Sequence, residues 1–528
     1  IIVNENLTFA GIHGAELTCS RFPAHFKTLG GTMETSNFKA RMAKDTLLYA
    51  AAKILEGIIG LVTLSTFTIL FKSEKYGDYN TIITTVNIAC IFLLEWLVQS
   101  VFRYINSYSG KMKLTVFYST VFTIWGAINS IVMIVSLSLV FALRNVLGES
   151  LFSLILASVF MLLGYSATRI LFSLLGAARI IKLNLILSVL SAGLKLVATI
   201  VLVKAFNMGI FGAVLGNILV DALSVFIIIW RLKLHNYIRL GFFSKRILNK
   251  FIKYGFPLVG LSLTMSMLNM SDRYIVRFFK GASQQGIYAG NYAVASAVFT
   301  MILFAVMRGV YPTILKSWKA NDKARTEEML SHAVRYFLLI AVPSAVGLSV
   351  LSPYIARVMM EPEFHEGSSV IIWVSTGMFL LGLTEYCNKA WELTSSTGRI
   401  FKNSLISCGV NIAANLILVP IYGYKAAAVN TALAYLVYFL LAYTMGRKIL
   451  KWTIPALVLA RIFGSAGIMA LVICAITAAV DVNLPILILL VLIGAATYFS
   501  VLFLTGEIKG EVRQIIAYVG KRLSGNRA

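Results

Sequence analysis

Long apolar runs, each broken by a short polar connector, recur from residue 46 to residue 504. A run of about 20 apolar residues crosses the ~30 Å hydrocarbon core of a bilayer as an α-helix. The pattern predicts fourteen membrane-spanning helices, at 46–71, 81–102, 114–143, 150–175, 183–204, 210–230, 256–279, 287–310, 332–351, 369–392, 403–419, 426–446, 459–480 and 484–504. The runs lack the short apolar–polar alternation of transmembrane strands, which argues against an outer-membrane barrel. The predicted fold class is an all-α polytopic membrane protein.

Composition removes the soluble alternative. Of 528 residues, 59% are hydrophobic and 13% charged, with a mean hydropathy of +0.83. Soluble domains carry about 25% charged residues. The 47 Lys and Arg against 22 Asp and Glu give a net charge of +25. With the N-terminus placed inside, 26 Lys and Arg fall on inner connectors and 7 on outer ones. That asymmetry follows the positive-inside rule, puts both termini in the cytoplasm and supports an even number of spans. The charge excess is therefore assigned to cytoplasmic loops facing anionic lipid, and nucleic acid is not expected as a partner. The five cysteines, Cys19, Cys90, Cys387, Cys408 and Cys474, are scattered without a CxxC pair and imply neither metal nor disulfide. Ile1 to Thr32 has no signal-peptide pattern, and Met33 or Met42 is the expected native start.

Two short motifs repeat. Gly77-Asp78-Tyr79 recurs as Gly286-Ile287-Tyr288 at an offset of 209, and Gly209-Ile210-Phe211-Gly212-Ala213 recurs as Gly423-Tyr424-Lys425-Ala426-Ala427 at an offset of 214. Six helices lie between the copies, so both halves enter the membrane in the same sense, as in transporters built from parallel repeats. The expected organisation is a leader and basic cytoplasmic segment at 1–43, an N-lobe at 44–230 and a basic cytoplasmic loop at 231–255. A C-lobe at 256–446, a two-helix extension at 447–504 and a basic tail at 505–528 complete it.

The segments Lys253-Tyr254-Gly255-Phe256-Pro257-Leu258, Ser271-Asp272-Arg273-Tyr274-Ile275-Val276 and Gly286-Ile287-Tyr288-Ala289 resemble the middle of bacterial Wzx-type polysaccharide flippases. These belong to the multidrug/oligosaccharidyl-lipid/polysaccharide exporter superfamily. Leu418-Val419-Pro420-Ile421-Tyr422-Gly423, running into Ala426-Ala427-Ala428, and Tyr76-Gly77-Asp78-Tyr79 carry the same resemblance, which extends from about Lys44 to Arg447. It implies two six-helix lobes around a central cavity that opens alternately inward and outward, with the last two helices as in fourteen-helix members. It also implies a monomer in the bacterial cytoplasmic membrane, a polyprenyl-diphosphate-linked oligosaccharide as cargo, and polymerase or glycosyltransferase machinery as partner.

Charge inside a lipid-spanning helix costs about 2.5–3.5 kcal/mol, so retained charges face a cavity or a partner. A lipid diphosphate needs cations, and the candidates are Lys195, Arg273, Arg103, Arg308 and Arg169. Lys195 lies deepest, and it either meets cargo or pairs with Asp221 or Glu95. Arg103 and Arg308 end repeat-related helices and would flank the inner mouth. Asp272 and Arg273 are adjacent and point about 100° apart on a helix, so Arg273 is favoured for phosphate and Asp272 as an anchor. Arg169 can alternatively extend to the cytoplasmic interface. Glu56, Glu95, Asp221, Asp272 and Glu385 are the candidates for ion coupling or charge pairing, with sodium and protons both open. Glu385, Lys389 and Glu392 share a face and read as a self-neutralised stripe. No cofactor is implied. Neither a phosphate-binding loop nor a zinc-protease motif is present, and the histidines do not cluster, which disfavours an enzyme. A membrane-embedded polymerase would need a larger outer loop than 352–368. A drug exporter of the same superfamily is the nearer alternative, and the basic candidates favour an anionic cargo over it.

Overall fold

The computed structural model describes residues 38–142 and 144–513. Its long helices are α1 (Phe38–Leu70), α2 (Ser73–Tyr104), α3 (Lys111–Ala142), α4 (Arg144–Ala177), α5 (Ile181–Lys204), α6 (Gly209–Arg231), α7 (Lys245–Lys319), α8 (Lys323–Met359), α9 (Ser368–Leu393), α10 (Thr397–Tyr422), α11 (Tyr424–Gly446), α12 (Ala456–Ala479) and α13 (Leu484–Leu504). No strand occurs among the described residues. Thirteen stretches among them are long and apolar enough to cross a membrane. Even α13, with 21 residues, reaches about 31 Å at 1.5 Å per residue, the thickness of the hydrocarbon core.

The thirteen stretches account for fourteen crossings, because α7 is a hairpin. Its 75 residues are interrupted at Gly281, where φ is +85°. Tyr288 donates to Asp272 Oδ2, and the Arg273 guanidinium lies 5.2 Å from the Tyr292 ring centroid. In a straight helix residues 272 and 288 would stand ~24 Å apart, so the chain must double back at Gly281. A left-handed φ is steeply unfavourable for residues with a Cβ, which is why glycine makes this turn. The expected connector between 279 and 287 is thereby reduced to one non-helical residue. The outer connector at 352–368 is also shorter than expected. Helix α8 runs through Pro353 to Met359, and a 3₁₀ turn fills Pro362–Gly367.

Packing divides the chain into two compact units. Val86–Phe206 and Phe211–Val259 make up the body of the first; Lys53–Thr85, Asn207–Ile210 and the chain from Gly260 onward make up the second. This division departs from the lobes expected at 44–230 and 256–446. Most of α1 and the first turns of α2 belong with the later helices. The cause is close backbone packing, since a Cβ built at Gly77 would overlap the Ala282 carbonyl oxygen and one at Gly286 would overlap that of Ser73.

In the first unit, Leu97, Phe117, Leu171, Leu175, Ile228 and Phe251 are fully buried in one apolar core. The basic connector after α6 is docked rather than loose. Ser119 Oγ donates to the Tyr237 carbonyl and accepts from Arg239 N, while Thr120 Oγ1 accepts from Ser244 N. In the second unit, α9 packs against α11, and Trp391, Ile400 and Ala442 form part of its core. Its interior also holds a ladder of buried amides, Asn411 to Asn415 at 3.1 Å and Asn415 to Asn430 at 3.0 Å.

Candidate functional site

The second unit contains a cavity of about 620 Å³ lined by α1, the start of α2 and both arms of α7. On α1, Lys53, Glu56, Gly57 and Gly60 fall at i, i+3, i+4 and i+7, which is one helical face. Tyr292, Ser296 and Thr300 supply the facing polar edge of α7 at intervals of four. Lys53 and Glu56 neutralise each other at 2.5 Å, with Lys53 Nζ 5.6 Å from the Phe304 ring centroid.

Arg273 enters the cavity from the first arm of α7. Its Nη1 makes only long contacts, 3.4 Å to Asn80 Oδ1 and 3.3 Å to Thr84 Oγ1. Its Nε is buried without a hydrogen-bond partner. Among the described residues no carboxylate forms a salt bridge with it, whereas Arg277, one turn on, is held by Asp78 at 2.7 Å. A buried donor left unpaired costs about 1–3 kcal/mol, so an acceptor placed in the cavity beside Nε would be stabilising.

Asp272 points elsewhere. It is 0% exposed, and its oxygens accept from Tyr288 Oη, from Thr431 Oγ1 at 3.2 Å and from Arg273 N at 2.8 Å. The neighbouring Ser271 reaches Asn411 Oδ1 at 3.4 Å, next to the amide ladder.

The remaining candidates are dispersed. In the first unit Lys195 pairs with Asp221 at 2.7 Å, and Arg169 pairs with Glu95 at 2.7 Å. Glu95 also accepts from Gln99 at 2.7 Å. Arg103 lies over the Tyr254 ring, 4.3 Å from its centroid, with no carboxylate partner among the described residues. The Arg308 side chain lies outside the described ones. In the second unit Lys389 sits 2.7 Å from Glu392 and 3.9 Å from Glu385, as the spacing on α9 leads one to expect. Of the five candidate acids, Asp272 is the one without a salt bridge to a basic side chain among the described residues.

Sequence reasoning passed over Arg277, Asn80 and Tyr292. Arg277 was within reach, because it follows Arg273 by four residues and so shares its face. Asn80 comes from a distant segment, and nothing local marks it.

Comparison with known proteins places these features in context. Residues 42–318 match the model of a family described as polysaccharide biosynthesis protein. The probable flippase AglR of Haloferax volcanii is 28% identical over 254 residues, which are 47% of this chain and 52% of that one. The chain thus spans about half the length of this curated relative. Among solved structures, a lipid II flippase in an inward closed conformation superposes with a TM-score of 0.70 at 20% identity, covering 86% of this chain and 98% of the other. An inward-facing multidrug transporter gives a TM-score of 0.60 at 12% identity, covering 75% and 94%. At these identities the likeness establishes a shared fold.

Proposed function

The chain belongs to the polysaccharide biosynthesis protein family, and on that premise we propose that it is a flippase moving a polyprenyl-diphosphate-linked oligosaccharide from the inner to the outer leaflet by alternating access. The observation that carries this reading is Arg273 at the cavity, a cation whose Nε has no hydrogen-bond partner and which forms no salt bridge among the described residues. Its planar donor fork suits phosphate oxygens, and the hydroxyl and amide groups of Asn80, Ser296 and Thr300 suit a sugar. An organic cation would meet Arg273 with repulsion, which disfavours drug export.

In this reading Lys195, Arg169 and Lys53 are structural cations already spent on Asp221, Glu95 and Glu56. Asp272, without a salt bridge among the described residues and set among oxygen-bearing groups, is the coupling carboxylate for a proton or sodium ion. The protein works as a monomer in the cytoplasmic membrane with both termini inside, performs no covalent step, and delivers its cargo to polymerase or glycosyltransferase machinery.

The test is reconstitution into vesicles with a polyprenyl-diphosphate oligosaccharide, with sidedness read by a membrane-impermeant lectin. Protein-dependent exposure of the sugar is expected, and Arg273→Ala should slow it by about tenfold or more, the worth of one charged hydrogen bond. Unchanged sidedness with the unmodified protein, or efflux of a lipophilic cation in its place, would overturn the reading.

A further inference from the structure

The first unit carries a second cationic cluster, which shares no residue with the cavity lining and is built from the end of α2 and the start of α7. The Arg103 guanidinium lies 4.3 Å from the Tyr254 ring centroid and 5.8 Å from that of Tyr104. The Lys250 ammonium lies 4.2 Å from the same Tyr104 centroid. The two tyrosines meet edge to face at 5.5 Å, and Tyr104 stacks on the fully buried Phe251 at 6.0 Å.

This cluster is held rigidly. A Cβ at Gly255 would overlap the Trp96 carbonyl oxygen, so α2 and α7 touch backbone to backbone there. Ser100 Oγ donates to the Phe251 carbonyl at 3.1 Å within the same contact. Arg103 and Lys250 are exposed, while Tyr104 and Tyr254 are half-buried beneath them.

The way these cations are held decides what they can bind. Arg169 and Lys195, in the same unit, each face a carboxylate. Among the described residues Arg103 and Lys250 form no salt bridge. A cation over an aromatic face is worth only about 0.5–1 kcal/mol at an exposed site, and it fixes the position of the charge without neutralising it. Both cations lie against the Tyr104 ring, Arg103 at 5.8 Å and Lys250 at 4.2 Å from its centroid. Lys253, exposed on the same stretch of α7, adds a third positive charge. Two fixed cations match a diphosphate better than the single negative charge of a phosphodiester. Tyrosine and basic side chains at a helix end also lie at head-group depth.

We propose that Arg103 and Lys250, set on Tyr104 and Tyr254, form a docking site for the diphosphate head of the lipid-linked cargo before it enters the cavity. The inference rests on the flippase reading. It adds a separate first station, on the basic side of the spans, whose loss affects capture and not passage.

The measurement is the initial flipping rate in phosphatidylcholine vesicles as the mole fraction of polyprenyl-diphosphate oligosaccharide is raised. Arg103→Ala combined with Lys250→Ala should raise the half-saturating mole fraction by about tenfold while leaving the maximal rate close to that of the unmodified protein. Arg103→Lys with Lys250→Arg should restore half-saturation. Arg273→Ala should lower the maximal rate instead. An unchanged half-saturation in the double alanine variant, with the unmodified protein still flipping, overturns the docking site and leaves the proposed cargo standing. No flipping by the unmodified protein overturns both. Replacing a third of the phosphatidylcholine by phosphatidylglycerol separates the two phosphate sources. Half-saturation should hold nearly constant, and a rise to the double variant's value would assign the site to bulk anionic lipid and overturn the proposal.

Discussion

Ser73 and Ser283 meet hydroxyl to hydroxyl at 2.8 Å, although 210 residues separate them. That separation is within one residue of the offset of 209 between the Gly77 and Gly286 motifs. The repeat pairs Ser73 with Ala282, and its two glycines make reciprocal contacts here, Gly77 against the Ala282 carbonyl and Gly286 against that of Ser73. Glu363 ties the junction by accepting from Ser73 N at 2.9 Å and from Ser73 Oγ at 2.8 Å. The same seam continues through Arg277 on Asp78 and Tyr274 on Thr85, the latter at 2.8 Å.

Gly286 is the tightest point of this seam, with no space for a Cβ against Ser73. Gly286→Ala should destabilise the folded protein by about 1–3 kcal/mol, the usual cost of overpacking. Gly409, in α10, faces open space, so Gly409→Ala should be neutral or slightly stabilising. Thermal unfolding in detergent compares the two, and equal midpoints would remove the close packing from the account.

A covalent bond across the seam should stop transport if α2 and α7 part during the cycle. Ser73→Cys with Ser283→Cys places two thiols where hydroxyls now touch. Oxidation should lock the protein and abolish flipping, and a reductant should restore it. Full activity in the oxidised, cross-linked state would show that this seam stays closed throughout.

The spans and the fold class were legible because membrane crossing depends on run length alone, and runs such as Leu484–Leu504 are uniformly apolar. The self-neutralised stripe of Glu385, Lys389 and Glu392 was legible because spacing along one helix decides it. Lys195 shows the limit. Its partner could have been Asp221 or Glu95, and only packing of α5 against α6 selects Asp221. A cavity was expected from the resemblance and Arg273 was singled out for it, but most of its lining was not legible. Lys53, Asn80, Arg273 and Tyr292 come from three helices, and no local pattern records that their side chains converge.

The Lys195–Asp221 pair makes a double-mutant cycle informative. Asp221 is almost fully buried, with its side chain 4% exposed, whereas that of Lys195 is 27% exposed. Removing Lys195 alone strands a buried carboxylate, while removing both leaves no uncompensated charge. Lys195→Ala should therefore be more harmful than Lys195→Ala combined with Asp221→Ala, with a coupling energy of about 1–3 kcal/mol in unfolding. Additive effects, together with specific loss of flipping in Lys195→Ala, would return Lys195 to the substrate path.

Asp272 offers the sharpest test of coupling. Asp272→Asn preserves shape and can still accept from Tyr288 and Thr431, but it cannot carry a charge or exchange a proton. In vesicles with an imposed sodium or proton gradient, the unmodified protein should flip faster than without the gradient. The Asp272→Asn variant should remain folded, retain slow equilibrating movement of cargo, and show no response to either gradient. A gradient response that survives in Asp272→Asn would exclude this carboxylate and direct attention to the ion-paired acids, Glu56 at the cavity wall first, because its Oε1 is buried without a hydrogen-bond partner.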